Sequence, residues 1–536
     1  MKKILRTIYN LLGFTGLWLA PIVYVILGQG FLSLDSQKRL LVCLAVIVWT
    51  SFNNFWSIAC EGKRFDEINI GDGLIPDTGL KKESPQKRVA MYPKVPVQYL
   101  SKTPEGVILG IYKNRYVRVP TDTIHHYCIL GGTGSGKSST ILIDSLLANF
   151  SKEHPDSLVF AIDIKGELHE KATKAFAENV LIVDPSDRTT AGWDAFYRLH
   201  ENPSDDLIIE AIEEIGQALI VSTNPKDHFF VENARTMFTG LLVYYFKQGE
   251  TFIDSVNKIL EADTGKLILD ITKDSSPSDL WYKYLAKFAG KDAESIQDCM
   301  VEMTTSLSVF SKSDVKFCFR DNAIKASPYS FREQKSVFLA IPEHLLESYK
   351  ALLRLCTCQV LQELQRRSEH ETTPIMLIID EFARLGRIEG IFNALATLRS
   401  KKVMILLAFQ SLAQCEVIYS KDEARTLTDN CRIKYILEVS DPQTAKTVQD
   451  WCGTYRDKKE TLNGGKNHHK SYSYENQPIV EPKDLLTLTK KQEVILVISG
   501  TGYLRVKKVF YFKDKILSAM AEKVKGYNES LKQQIQ

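Results

Sequence analysis

Eight consecutive residues, Gly131-Gly132-Thr133-Gly134-Ser135-Gly136-Lys137-Ser138, constrain the fold of this chain more than any other feature. They have the composition and spacing of a phosphate-binding loop. They also lie between an apolar run of strand length, His126 to Leu130, and a helical pattern that begins near Lys137. Glycines at such a turn let backbone N–H groups converge on phosphate oxygens. The lysine neutralises the β and γ phosphates, and the hydroxyl after it can bind magnesium. The loop therefore predicts an α/β nucleotide-binding domain that takes ATP and Mg2+. Its binding residues are Gly131, Gly132, Thr133, Gly134, Ser135, Gly136, Lys137, Ser138 and Ser139, with Ser138 as a magnesium ligand.

A loop of this kind needs an acidic partner at the tip of a neighbouring strand. About 240 residues downstream, the apolar run Ile375 to Ile379 reads as a buried strand that delivers Asp380 and Glu381 at its C-terminal end. Asp380 is assigned to the magnesium shell, and Glu381 to polarising the attacking water as a base. The next apolar run, Val403 to Phe409, is followed by Gln410-Ser411. An amide at that strand tip can touch the γ-phosphate or its water and so report the nucleotide state. Arg399 ends a helix expected over Ile388 to Leu398, where an exposed arginine is ordinarily a solvated terminus. Only an oligomer makes it catalytic.

Further strand-like runs occur at Val107 to Ile111, Tyr116 to Val119, Leu158 to Ile162, Val180 to Val183, Ser336 to Ile341 and Ile433 to Val439. Helical patterns separate most of them, as in a parallel sheet covered on both faces. Between Phe196 and about Arg320 the alternation stops, and apolar residues recur at three- and four-residue spacing, which predicts an all-helical insertion. Tyr197 to Arg320 holds 20 acidic and 13 basic residues, so this insertion is expected to meet a protein rather than grip phosphate by charge. Val494 to Ser499 and Tyr503 to Phe512 read as a closing hairpin, and Asn463 to Tyr474, with His468 and His469, as a loop rather than a metal tract. The net charge of +3 excludes a wholly basic nucleic-acid coat, and the ten scattered cysteines lack zinc-site spacing, which suits a reduced cytosolic bulk.

The first sixty residues differ in kind. Thr7 to Leu34 and Leu40 to Cys60 carry no charged side chain, and each is long enough to cross a hydrocarbon core as a helix. Lys2, Lys3 and Arg6 precede the first run, and Lys63, Arg64, Lys81, Lys82, Lys87 and Arg88 follow the second, against Lys38 and Arg39 between them. This distribution places both termini and nearly all of the chemistry on the cytoplasmic side. The proline-rich stretch from Glu61 to Pro104 reads as a linker leaving the bilayer.

Together these motifs resemble the coupling proteins of type IV secretion and conjugation, the TraG, TraD and TrwB group. The resemblance is carried by the two apolar runs, the phosphate loop, Asp163-Ile164-Lys165-Gly166-Glu167-Leu168, Asp227-His228-Phe229-Phe230, Asp380-Glu381-Phe382-Ala383-Arg384-Leu385-Gly386 and Phe409-Gln410-Ser411. Three features depart from that group's usual pattern: Ile164 where proline is frequent, the segment Trp193 to Phe196, and the short loop between the two apolar runs. The resemblance implies a RecA-like domain (105–196 and 321–515) interrupted by an all-α domain (197–320), after a membrane anchor (1–60) and linker (61–104) and before a short tail (516–536). It also implies a hexamer beneath the bacterial inner membrane that receives relaxase-bound single-stranded DNA, with relaxase, accessory proteins and the inner-membrane part of the secretion channel as partners. On that reading Arg399 is an arginine finger and Gln410 a sensor. A chromosome-segregating DNA pump of the FtsK kind, a DNA-independent secretion ATPase and a nucleotide-binding membrane scaffold remain the alternatives.

Overall fold

Alternation along the central strands sets the architecture. In Ile375–Ile379 the side chains of Ile375, Leu377 and Ile379 join one hydrophobic cluster while Met376 and Ile378 join another, and Val403–Phe409 divides its side chains in the same way. Strands buried on both faces read as unbroken apolar runs, and they require cover from helices on each side. The computed structural model describes residues 85–535, apart from 175–176, 222–227, 292, 321, 323 and 463–469. The two apolar runs expected to span a membrane lie outside the described residues. Among the described residues no helix is long and apolar enough to cross one.

The strands are β1 (Leu100–Ser101), β2 (Val107–Tyr112), β3 (Arg115–Val119), β4 (Tyr127–Gly131), β5 (Leu158–Asp163), β6 (Val180–Val183), β7 (Gly192–Trp193), β8 (Lys325–Ala326), β9 (Ser336–Ala340), β10 (Ile375–Ile379), β11 (Val403–Phe409), β12 (Ile433–Glu438), β13 (Thr454–Leu462), β14 (Lys470–Pro478), β15 (Glu493–Ile498) and β16 (Gly502–Lys507). Twelve of them form one sheet in the order β1-β3-β2-β16-β15-β12-β4-β11-β10-β5-β9-β6. The run from β12 to β6 is parallel, and β15, β16, β2, β3 and β1 extend it as an antiparallel wing. One face is covered by Ile143–Phe150 and the other by Leu346–Arg366.

Among the described residues, seven α-helices follow one another from Asp205 to Arg320: Asp205–Leu219, His228–Lys247, Phe252–Glu261, Thr264–Lys273, Tyr282–Leu285, Ala293–Leu307 and Ser313–Arg320. Side-chain oxygens of Ser204, Thr251 and Asp263 cap three of them. The chain passes into and out of this block through β7 and β8, which pair in parallel, Gly192 with Lys325 and Trp193 with Ala326. Gly192 has no alternative there, because a Cβ would sit 2.1 Å from the Cys318 carbonyl oxygen. Trp193 is fully buried and donates from Nε1 to Gln359 Oε1 at 2.9 Å. Apolar residues of the block, Ile208, Ile212 and Ile215 among them, belong to the cluster that also holds Leu352 and Leu355 of Leu346–Arg366. Arg198 and Arg366 both engage Glu210 and Glu214 across that seam.

Three stretches are more ordered than their composition suggests. Residues 85–104, expected as linker, form the helix Pro85–Met91, pinned by Lys87 Nζ to Glu481 Oε1 at 2.9 Å, and bury Met91, Val95 and Tyr99. The expected loop beyond Asn463 enters strand at Lys470 and pairs with Thr454–Leu462, while His468 and His469 lie outside the described residues. The expected tail is the helix Lys515–Ile535, which buries Leu517 and Val524 and donates from Lys523 Nζ to the Ser151 carbonyl at 2.8 Å. Apolar residues at three- and four-residue spacing, Leu517, Met520, Val524, Tyr527 and Leu531, are its sequence signal. The eight described cysteines are free and buried.

Candidate active site

The phosphate-binding loop leaves β4 at Gly131, and a wide helical turn, Ser138–Leu142, carries it into Ile143–Phe150. Gly134 and Gly136 have φ of +77° and +97°, a region that side-chain-bearing residues avoid, which is why the turn needs glycine at these positions. Lys137 is 6% exposed, and its Nζ donates to the Gly131 carbonyl at 2.7 Å. The same Nζ lies 3.3 Å from Glu381 Oε1. Sequence positions about 240 apart thus meet because β10 and β4 both flank β11, with Ile379 beside Leu407 and Phe409 beside Leu130.

The two carboxylates are held differently. Asp380 is 4% exposed in the turn directly after the strand; burial first, and the Glu381 charge next, push its carboxyl up to about 6, against the pull of Lys137 and Lys165. Glu381 turns off the strand at φ +54°, and its N–H donates to Asp380 Oδ1 at 3.1 Å. A left-handed glutamate is strained backbone, retained here where it turns the carboxylate toward Lys137. β5, on the other side of β10, ends in Asp163, whose Oδ2 accepts from the N–H groups of Leu168 and His169 and lies 2.8 Å from His169 Nδ1. This fixes the Asp163-Ile164-Lys165-Gly166 turn, with Gly166 at φ +72°.

Gln410 directly follows β11 and is half-buried between the tips of β4 and β10; its Oε1 accepts from Gln414 Nε2 at 3.2 Å. Arg399 lies elsewhere. The helix before it spans Ile391–Thr397, and Arg399 is exposed in the turn that precedes Val403, the first residue of β11. Gln410 and the phosphate loop stand at the other end of that strand, which at seven residues spans about 20 Å. Arg399 therefore cannot reach a phosphate held by its own Lys137.

Motif reading missed one residue. Lys508, just past β16, is 6% exposed and donates to the Ser135 carbonyl at 2.8 Å and to Thr489 Oγ1 at 3.1 Å. Burial lowers its pKa to about 8. A lysine between a hairpin strand and the aromatic run Phe510 to Phe512 carries no motif, so only the pairing of the C-terminal hairpin with the sheet reveals it.

The residues present fit a magnesium–nucleotide complex. Above the loop, a Cβ at Gly132 or Gly134 would meet nothing within 4 Å, and buried Ser135 Oγ has no hydrogen-bond partner among the described residues. One buried acid and one hydroxyl, Asp380 and Ser138, also suit a hard cation that keeps most of its water, whereas no cluster of three or more acidic, histidine or cysteine ligands occurs among the described residues. Because Asp380 must ionise to serve, Mg2+ affinity of the nucleotide-loaded chain is expected to be constant above pH 7 and to fall toward about tenfold per pH unit below pH 6. Magnesium titration from pH 5 to 8 checks this; a flat profile would mean that Asp380 is not a ligand.

The family described as Type IV secretory system Conjugative DNA transfer matches residues 85–534. Protein VirD4 of Agrobacterium fabrum is 23% identical over 425 residues, covering 74% of this chain and 60% of VirD4. The chain thus spans about 60% of the length of the curated relatives it matches. Among solved structures, the unbound bacterial conjugative coupling protein TrwBdeltaN70 superposes with a TM-score of 0.62 at 18% identity, over 76% of this chain and 90% of that one. Plasmid coupling protein TrwB in complex with ADP and Mg2+ gives 0.59 at 18% identity, over 76% and 89%. These likenesses establish an α/β RecA-like P-loop fold with a helical domain. With the match running from the first described helix almost to the last residue, this chain belongs to the type IV secretory system conjugative DNA transfer family.

Proposed function

We propose that the chain is the coupling ATPase of a type IV secretion or conjugation system: an inner-membrane hexamer that uses ATP hydrolysis to deliver relaxase-bound single-stranded DNA to the channel. The observation that carries this reading is the 3.3 Å approach of Lys137 to Glu381 past the tips of β4 and β10, the two strands that flank β11, in a chain of the conjugative DNA transfer family. Lys137 and the loop N–H groups, from Gly131 to Ser139, bind the phosphates. Ser138 and Asp380 hold Mg2+, which when bound neutralises charge on the phosphate oxygens. Glu381 takes the proton of the attacking water, Gln410 senses the γ-phosphate, and Arg399 serves the site of the adjacent subunit. Two N-terminal spans anchor the ring with both termini in the cytoplasm, and the 197–320 helical block, with its acidic excess, receives the relaxase or its accessory proteins.

Lys137→Ala is the direct test. It is expected to abolish hydrolysis and DNA transfer while membrane insertion persists, and single-stranded DNA is expected to stimulate the unaltered chain. Retained transfer in Lys137→Ala would remove the loop as the engine. A rate indifferent to DNA would favour a DNA-independent secretion ATPase.

A further inference from the structure

At the end of the sheet away from the phosphate loop, three adjacent strands begin beside basic residues. Arg432 precedes β12, His125 and His126 precede β4, and Arg399 lies in the turn leading into β11. Register sets the first two at one level: Ile433 pairs with Tyr127, and the Ile433 N–H donates to the His126 carbonyl at 3.2 Å. The Ile405 N–H of β11 donates to His126 Nδ1 at 3.1 Å, which leaves a neutral His126 ring with its proton on Nε2.

Arg432 Nε is buried here with no hydrogen-bond partner among the described residues, whereas the His125 and His126 rings face the backbone carbonyls of Ile124 and Leu395. Buried polar atoms are nearly always satisfied, so the Arg432 nitrogen marks a site whose partner comes from outside the chain. Charge says what kind of partner. Burial, then Arg432 and Arg399, lower the His125 pKa, and burial and Arg399 bring His126 to about 4. Both rings are therefore neutral near pH 7, and the charge gathered here is that of two guanidinium groups.

We propose that Arg432 and Arg399 together form an anion seat, and that its occupant is the terminal phosphate of ATP bound to a neighbouring copy of this chain. The inference rests on the reading of Arg399 as a group that acts in trans. Two forks of N–H donors match a tetrahedral, multiply charged phosphate better than a single carboxylate. The seat and the chain's own loop occupy opposite ends of β4 and β11, so only another molecule can bring the phosphate. A head-to-tail ring joins two different patches of the chain at every interface, and we take these to be the seat and the loop.

Mixed assemblies of full-length chains separate the possibilities. Arg432→Ala alone is expected to lower turnover at least tenfold, with ADP affinity unchanged and trapping of ADP with aluminium fluoride weakened at least tenfold; Arg432→Gln, run beside it, guards against a folding defect. Arg432→Ala mixed with Lys137→Ala is expected to regain activity, because one subunit offers a sound loop and the other offers both arginines. Arg432→Ala mixed with Arg399→Ala is expected to show no activity above that of its two parents, because no interface then holds both arginines. Activity above both parents in that last mixture would place Arg432 in its own subunit's site and overturn the proposal. Near-normal turnover in both Arg432 variants would also overturn it, and would point to a nucleic-acid phosphate or no ligand at the seat. Full activity of Arg399→Ala alone would sink the in-trans reading of Arg399, leaving Arg432 to be judged by its mixture with Lys137→Ala.

Discussion

Arg399→Ala is expected to reduce ATP turnover by about 10³ to 10⁵ while ATP binding stays intact, the range found when an arginine finger is removed. The size of the effect follows from where the charge acts. A guanidinium brought to the γ-phosphate stabilises negative charge that spreads over its oxygens only as the bond to the leaving group lengthens. Arg399 stands at the start of β11 and Lys137 beyond the end of β4, so this stabilisation needs a second subunit. Mixtures of Arg399→Ala with Lys137→Ala are accordingly expected to regain activity that neither parent has, in proportion to the fraction of interfaces pairing a sound loop with a sound arginine. Silence in mixtures shown to co-assemble would remove the in-trans role, and a fully active monomer would exclude it outright.

The second large effect is expected at Glu381. Glu381→Gln keeps the hydrogen-bonding shape but cannot accept a proton, so turnover is expected to fall by about 10² to 10⁴ with nucleotide affinity retained or improved. Improvement is the more informative outcome. The Glu381 carboxylate lies 3.3 Å from Lys137, and it adds a second negative charge beside Asp380. Removing that charge frees the ammonium for phosphate and lowers the repulsion that a polyphosphate meets. Stopped hydrolysis with tight ATP retention, read by filter binding of labelled nucleotide, is the expected signature. Near-normal hydrolysis would move the base to another residue.

Much of this site could be read from local sequence because its parts sit at strand tips, and a buried parallel strand announces itself as an apolar run with its functional residue just after it. Gly131 to Ser138, Asp380, Glu381 and Gln410 all follow that rule. Lys508 and Arg432 do not. Lys508 reaches the loop only because β16 pairs with β15, and β15 with β12, beside β4; nothing within ten residues of it hints at a phosphate site. Arg432 reads as an ordinary polar residue before a strand until register sets it beside His126. Tertiary pairing over hundreds of residues, rather than propensity, supplies both. Lys515–Ile535 differs: Leu517, Met520, Val524, Tyr527 and Leu531 already have helical spacing, and only its packing against Ile143–Phe150 needs the fold.

The order of the strands also bears on synthesis. β4 and its loop are made early, yet Lys508, which ties down the loop at Ser135, lies about 370 residues later. At ribosomal rates of about 5 to 20 residues per second, roughly 20 to 70 s separate the two. During that interval the nascent sheet exposes the edge that β12 and the C-terminal hairpin will occupy, a length of unpaired backbone open to chaperones. A message broken between the phosphate loop and the last strands therefore yields a chain with a recognisable phosphate loop but without the Lys508 brace.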